Sequence, residues 1–142
     1  MSITQISVIV DNVPGSLTQL LDILDKEDIK TKAVSAASTT EHSTLRLVVN
    51  DPNRAIATLR SFNFNVDVSP VIAVEVPVHP GGMNAIVKPL ADADVNIHYF
   101  YTTIERIGKE TILIIGCDPM EKAVDILHQH WINFVGDEIY SL

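Results

Sequence analysis

The chain has 142 residues, 46% of them hydrophobic, and a formal net charge of −8 at pH 7. That length suits one ordinary domain or two small ones that share an interface. The acidic balance argues against a nucleic-acid backbone or an anionic membrane as the main partner. Without an apolar run of roughly 18 residues, and without a basic and then apolar leader, the chain is expected to be cytoplasmic and not to span a membrane.

The first half of the chain predicts four strands and two helices. Apolar and polar residues alternate at its beginning, which is the period of a half-buried strand, and leucines then recur at helical spacing. Asp51 and Pro52 provide a cap and a start for the second helix. The predicted elements are a strand at 6–10, a helix at 17–24, strands at 31–39 and 44–50, a helix from Pro52, and a closing strand through Val66 and Val68.

The second half repeats this pattern. Ile6, Val8 and Val10 recur 66 residues later as Ile72, Val74 and Val76, and Pro14-Gly15 recurs as Pro80-Gly81. Later in the repeat, Asp51-Pro52 recurs as Asp118-Pro119. The second set of predicted elements is a strand at 70–76, a helix at 81–92, strands at 95–103 and 110–117, a helix at 119–130 and a strand at 133–140.

This duplication predicts an α+β protein made of two ferredoxin-like βαββαβ repeats, at residues 1–68 and 69–142. Each sheet should be antiparallel with its helices on one face. A module of half this length buries only about 60% of its surface alone. We therefore expect the repeats to pair side by side and the chain to form a homodimer.

The segment from strand to helix reads Asn-x-Pro-Gly-x-Leu, beginning at Asn12, and a second strand follows about fifteen residues on. In this context, and with the duplication, the whole chain resembles the ACT domain family, as a tandem ACT protein with no attached enzyme. The resemblance implies a regulatory role, in which an amino acid or related metabolite binds between paired modules. It also implies a metabolic enzyme or regulator as partner.

A turn that leads from a strand into a helix presents unpaired N–H groups, which favour an anionic group such as a carboxylate. A glycine in that turn lets a ligand approach the backbone closely. The predicted ligand-binding residues of the first turn are Asp11, Asn12, Val13, Pro14, Gly15 and Ser16, with Pro14 expected at the first helical position. A second, weaker site is predicted at His79, Pro80, Gly81, Gly82 and Met83.

Two asparagines match ligand contacts that the resemblance implies. In amino-acid-binding members of the family, one lies two positions before the turn proline, and the other begins the second strand of the neighbouring module. Asn12 matches the first and Asn96 the second, whereas the paired positions Val78 and Lys30 do not match. The alternative is that Asn12 and Asn96 only satisfy turn backbone, as Asn often does.

The charge of the turns favours a zwitterionic amino acid as ligand. Neither 11–17 nor 77–83 contains lysine or arginine, so a phosphate or a dicarboxylate would be poorly neutralised there. An acylphosphatase-like enzyme needs an arginine in this turn. The sequence contains no recognisable catalytic motif and no cofactor motif. His128 and His130 lie only two positions apart, whereas side chains that face each other on a helix are three or four apart, so no metal site is predicted. Cys117, in an apolar run, is expected to be a buried strand residue.

One more strand invites a functional reading. Residues 96–101 are rich in aromatic side chains, and alternation would place Val95, Ile97, Tyr99 and Tyr101 on one face. Core or interface packing is preferred to RNA stacking for these rings, given the acidic charge. The sequence thus predicts a non-catalytic small-molecule sensor. The alternative is a ligand-free regulatory or assembly module that acts on an enzyme in trans.

Overall fold

Strands and helices alternate along the residues that the structure, a computed structural model, describes, which are 2–105 and 110–141. Their order is βαββαβ, followed by αββα, and the sixth element is a strand that closes the first repeat and opens the second. This confirms the predicted ferredoxin-like fold class. The elements are β1 (Ile3–Asp11), α1 (Ser16–Lys26), β2 (Thr31–Ser38), β3 (His42–Val49), α2 (Pro52–Ser61), β4 (Asn65–Val76), α3 (Asn84–Asp92), β5 (Asn96–Thr102), β6 (Thr111–Asp118), α4 (Met120–Gln129) and a 3₁₀ helix (Asp137–Ser141).

The chain divides into two units, which we call the N-terminal and the C-terminal unit. The N-terminal unit is Thr4–Ser69 with Tyr140–Leu142, and the C-terminal unit is Pro70–Ile139 with Met1–Ile3. The Tyr140 hydroxyl accepts a hydrogen bond of 2.8 Å from the Thr4 N–H, which holds the end of the chain on the N-terminal unit. The repeat boundaries given by the sequence, 1–68 and 69–142, stay a prediction.

Helices α1 and α2 cover the sheet of the N-terminal unit, in which β1 lies between β3 and the first part of β4. The pairings of β1 with β3 and of β2 with β3 are antiparallel. Leu20 and Leu24 of α1 and Leu59 of α2 are fully or almost fully buried, because the helical period places them on the sheet side. The strands contribute alternate residues to this core, namely Ile6, Val8, Val10, Leu45, Leu47, Val49 and Val66.

In the C-terminal unit, β6 lies between β5 and the second part of β4, and both pairings are antiparallel. Residues 133–140 do not form the predicted closing strand. Phe134 makes an isolated bridge to Val74, flanked by hydrogen bonds of 2.8 Å from Glu75 N to Asn133 O and from Val135 N to Ala73 O. The predicted strand ends there because Gly136 and the acidic pair after it start a 3₁₀ helix instead.

The predicted alternation of side chains along β5 is wrong, because this strand contains a bulge. Ile97 pairs with Cys117 but Tyr99 pairs with Gly116, so β5 advances two residues while β6 advances one. Ile97 therefore packs on the helix side with Cys117, and Tyr99 lies on the opposite face. A Cβ at Gly116 would come within 2.2 Å of the Tyr99 ring, so the ring occupies the space that a larger residue would fill.

Helices α1, α2, α3 and α4 end in the same way, in a Schellman motif in which the residue after the last helical turn has a left-handed backbone. In α1, for example, Asp28 has φ 57°, and the Ile29 N–H donates to the Leu24 carbonyl over 3.0 Å. The corresponding hydrogen bonds in the other helices run from Phe64 to Leu59, from Val95 to Leu90 and from Ile132 to Leu127. The left-handed residue is Asp28, Asn63 and Asp94 in three helices, and Trp131 in the fourth.

Candidate functional site

The turn between β1 and α1, which we call loop 1 (residues 11–16), exposes an open helix start. Gly15 holds the N-cap position with φ 89°, and no side chain caps the helix. A Cβ at Gly15 would meet nothing within 4 Å, so the space in front of this residue is free. The prediction that Pro14 is the first helical residue is wrong, because the left-handed Gly15 follows it and the helix begins at Ser16.

Two backbone amides at this helix start are available to a ligand. The Ser16 N–H donates to the Val13 carbonyl over 3.3 Å, and the Gln19 N–H donates to the Gly15 carbonyl over 3.0 Å. Between them, the N–H groups of Leu17 and Thr18 have no hydrogen-bond acceptor within residues 2–105 and 110–141. Unsatisfied donors at the positive end of a helix favour an anionic group.

Asn12 is engaged by its own chain. Its side-chain Nδ2 donates to the carbonyl of Thr39 over 3.0 Å and lies 3.5 Å from that of Thr40, and the Ser43 hydroxyl donates to its Oδ1 over 3.4 Å. Its backbone N–H donates to the Glu41 carbonyl over 2.9 Å. Asn12 therefore ties loop 1 to the turn between β2 and β3, which is the structural role that the sequence left open.

The remaining residues of loop 1 are accessible. Asp11, Val13 and Pro14 are exposed, and Ser16 is half-buried. The Val13 N–H donates to the Asp11 carbonyl over 2.9 Å, which closes a tight turn ahead of Gly15. Asp11 is the one acidic residue of loop 1, so it is the candidate partner for the ammonium group of a ligand.

The corresponding turn between β4 and α3, which we call loop 2 (residues 77–83), has the same glycine geometry but a different helix start. Gly81 has φ 87° with free space at its Cβ position, and its carbonyl accepts from the Ala85 N–H over 2.9 Å. The next glycine is different, because a Cβ at Gly82 would lie 2.0 Å from the Pro77 carbonyl oxygen. Helix α3 begins at Asn84, three residues later than predicted.

Loop 2 repeats the hydrogen-bond pattern of loop 1, because the N–H groups of Met83 and Asn84 also have no acceptor within residues 2–105 and 110–141. The exposed His79 places its Nδ1 2.8 Å from the Pro80 carbonyl oxygen, and the Gly82 N–H donates to the His79 carbonyl over 3.0 Å. Met83 occupies the N-cap position with a helical backbone and is partly exposed. Asn96, the other predicted ligand contact, is exposed at the start of β5 opposite Asp118.

The predicted first site thus draws on both units, because loop 1 belongs to the N-terminal unit and Asn96 to the C-terminal unit. A contribution of both to one site stays a prediction. The same holds for the second site in loop 2.

The side chains with other chemistry have structural explanations. His128 packs against the Phe134 ring with 4.5 Å between ring centroids, and His130 Nδ1 lies 2.9 Å from the Ile126 carbonyl oxygen. Cys117 is buried, and burial together with the charge of Asp118 raises the pKa of its thiol. Across residues 2–105 and 110–141, no cluster of three or more metal-ligating side chains occurs. No helix in that part of the chain is long and apolar enough to cross a membrane.

Comparison with known proteins places this architecture in a defined group. The family model of the ACT domain pair matches residues 1–141. None of the curated protein sequences is significantly similar to this chain. Among solved structures, protein BT0572 from Bacteroides thetaiotaomicron superimposes with a TM-score of 0.91 at 26% identity, over 100% of this chain and 98% of that one.

Regulatory subunits of aspartate kinase share the fold at lower identity. The ligand-free subunit from Thermus thermophilus gives a TM-score of 0.62 at 15% identity, over 90% of this chain and 91% of that chain. The subunit from Thermus flavus gives 0.61 at 19% identity, over 90% and 92%.

Proposed function

This chain belongs to the ACT domain pair family, and from that premise we propose that it is a non-catalytic regulatory module whose loop 1 binds a free amino acid. The observation that carries the proposal is the open start of α1. There the left-handed Gly15 has open space at its Cβ position, and the N–H groups of Leu17 and Thr18 have no acceptor among the described residues. We propose further that the module works as a homodimer and transmits ligand binding to a metabolic enzyme or regulator.

The helix start alone cannot provide useful affinity. A carboxylate at such a position gains about 0.3–1 kcal/mol, and up to about 2 kcal/mol where it is partly buried. Binding in the micromolar range requires roughly 8 kcal/mol. Side chains around loop 1 must supply the difference, and Asp11 and Ser16 are the polar groups of the loop whose side chains no described residue engages.

The charge of loop 1 narrows the ligand class. The loop contains one acidic side chain, Asp11, and no basic one. A second negative charge on the ligand would therefore be repelled and not neutralised. An amino acid carries its own ammonium group, which can pair with Asp11 while the carboxylate meets the free amides. This complementarity supports an amino acid over a phosphate or a dicarboxylate.

Melting curves in the presence of each of the twenty amino acids test the proposal. A ligand at one hundred times its Kd should stabilise the protein by about 2.7 kcal/mol. The matching amine lacks the carboxylate, so any melting shift that it produces should be unaffected by Gly15→Ala if the carboxylate binds the helix start. A panel in which no amino acid raises the melting temperature would contradict the proposal.

Two glycine variants locate the site. Gly15→Ala and Gly81→Ala place the same Cβ in free space at left-handed positions of φ 89° and 87°. Both should therefore lose a similar stability, on the order of 1 kcal/mol. Only Gly15→Ala should lose the melting shift produced by the ligand. Equal ligand response in the two variants would place the ligand away from loop 1.

A second function is favoured by one observation, the engagement of Asn12 by the turn between β2 and β3. If the side chain is structural, the chain could act as a ligand-free assembly module that binds an enzyme in trans. A stoichiometric enzyme partner, captured equally well with and without amino acids, would support this function. A partner whose capture depends on an amino acid would instead support the sensor.

A further inference from the structure

Trp131 occupies a position that its chemistry does not favour. It has φ 61° at the end of α4, where α1, α2 and α3 use Asp28, Asn63 and Asp94. Asp and Asn enter the left-handed region several-fold more often than other side chains do, whereas for a bulky residue this backbone is unusual. The Trp131 side chain is also 91% exposed, so burial does not explain its presence. An Asp or Asn at this position would terminate the helix at a lower conformational cost than Trp131 does.

Trp131 lines a cavity of about 140 Å³ within the C-terminal unit. The cavity is close in size to the roughly 150 Å³ that accepts a benzene molecule in an engineered core. A ligand of about six non-hydrogen atoms would therefore fill it. The residues that line it are Glu75, Pro77, Glu110, Trp131, Ile132 and Asn133.

The lining is complementary to an organic cation. It combines two carboxylates, an indole ring and two apolar side chains, and among residues 2–105 and 110–141 no Lys, Arg or His lines it. The Asn133 Nδ2 donates to Glu75 Oε2 over 3.1 Å, which fixes the orientation of that carboxylate. No cationic side chain within residues 2–105 and 110–141 forms an ion pair with Glu75 or Glu110. Carboxylates and indole rings are both groups that attract an ammonium ion.

We propose that this cavity is a binding site for a small alkylammonium compound. The ammonium group pairs with Glu75 and Glu110, and the alkyl chain packs against Trp131 and Ile132. The proposal does not depend on ligand binding at loop 1, because Pro77 is the one residue of loop 2 that lines the cavity and loop 1 contributes none. It also needs no carboxylate on the ligand, which distinguishes it from the amino-acid site.

Fluorescence of the intact chain reads out the proposal directly, because Trp131 is the sole tryptophan of the sequence. We would titrate n-butylammonium at constant ionic strength, with butyrate and 1-butanol as controls of the same shape. The account predicts a saturable shift of the emission to shorter wavelength with the amine alone. An unsaturable response, or an equal response to butyrate or butanol, would overturn it. So would the absence of any response, as expected if the chain's own side chains fill the cavity.

Charge-neutral variants test the two carboxylates. Glu75→Gln keeps an acceptor oxygen for Asn133, and Glu110→Gln keeps the side-chain volume, so each removes charge with little change of shape. Each should weaken butylammonium binding by at least tenfold. Glu121→Gln, an exposed carboxylate on α4 outside the cavity lining, is the matched control and should leave the affinity unchanged. Equal weakening of butylammonium binding in all three variants would mean that the overall negative charge of the protein attracts the amine, and it would overturn the proposal.

A further experiment tests whether the ammonium group comes from a small molecule or from a lysine side chain of a partner protein. An acetylated and amidated lysine peptide offers the same ammonium group attached to a protein backbone. The proposal predicts that it binds more weakly than free butylammonium, because the cavity accepts only about six heavy atoms. Tighter binding of the peptide would assign the cavity to a protein partner and overturn the small-molecule site.

Discussion

Replacing Trp131 with asparagine should stabilise the protein, although it removes the largest aromatic side chain. A left-handed backbone costs an ordinary L-residue roughly 1–2 kcal/mol, and asparagine recovers about 1 kcal/mol of this. Because the side chain is 91% exposed, the substitution gives up only about a tenth of its area. At about 25 cal/mol per Å² and up to about 250 Å² for a tryptophan, that loss is roughly 0.5 kcal/mol. The net expectation is a gain of about 0.5 kcal/mol.

Urea unfolding followed by circular dichroism measures this gain, with the slope m as a check that the exposed surface on unfolding is unchanged. The matched control is the reverse exchange in α2, Asn63→Trp, at the same position of the same motif with φ 65°. It should destabilise the protein by about 1 kcal/mol. A loss of more than 1 kcal/mol in Trp131→Asn would refute the reasoning, since it would mean that Trp131 contributes contacts that its exposure does not reveal.

Further variants test separate parts of the structure. Asn12→Ala should cost about 1 kcal/mol of unfolding free energy, because it removes hydrogen bonds to the turn between β2 and β3, and urea unfolding checks this. A loss below 0.3 kcal/mol, taken as about the error of the method, would leave Asn12 free for a ligand role. Gly116→Ala should cost about 1–3 kcal/mol by overpacking against the Tyr99 ring. Adding Tyr99→Leu should recover most of that loss, and a double-mutant cycle without coupling would contradict the contact. Cys117 should react slowly with a thiol reagent at pH 8, because burial raises the pKa of its thiol. Since the folded pKa is raised, the stability linked to this thiol is present below the pKa of the unfolded chain and is lost as pH rises through the folded value. Rapid labelling at pH 8 would contradict the burial.

Much of the fold could be predicted because the two repeats carry the same local signals. Apolar alternation marks β1 and the second part of β4, and Asp51-Pro52 marks the start of α2, where Asp51 accepts a hydrogen bond from the Arg54 N–H over 3.2 Å. A side-chain cap of this kind depends on neighbours along the chain only. Such features can be read from sequence because they do not depend on tertiary contacts.

The errors arose where tertiary contacts decide the local structure. The closing strand of the first repeat and the opening strand of the second form one strand, β4, since no turn separates Val68 from Pro70. The bulge in β5 reflects the large Tyr99 ring lying over Gly116 on a neighbouring strand, which the alternation of a single segment cannot reveal. Residues after Gly136 leave the sheet although their apolar spacing resembles that of a strand.

The candidate site was predictable in position but not in detail. Pro14-Gly15 marked the turn, and Gly15 has the left-handed backbone that a glycine in such a turn permits. The engagement of Asn12 by the turn between β2 and β3 depends on the pairing of β1 with β3, which brings residues 27 and 28 positions apart together. The cavity beside Trp131 was missed for the same reason. Its lining comes from three separate segments, and a tryptophan after a helix carries no signal in the sequence alone.

Amide NMR during titration with an amino acid tests most directly the claim that the open start of α1 binds a carboxylate. The account predicts that the ligand found in the melting panel shifts the N–H resonances of Gly15, Leu17 and Thr18 more than those around Gly81. Saturable binding that leaves the resonances of residues 15–18 unmoved would contradict it.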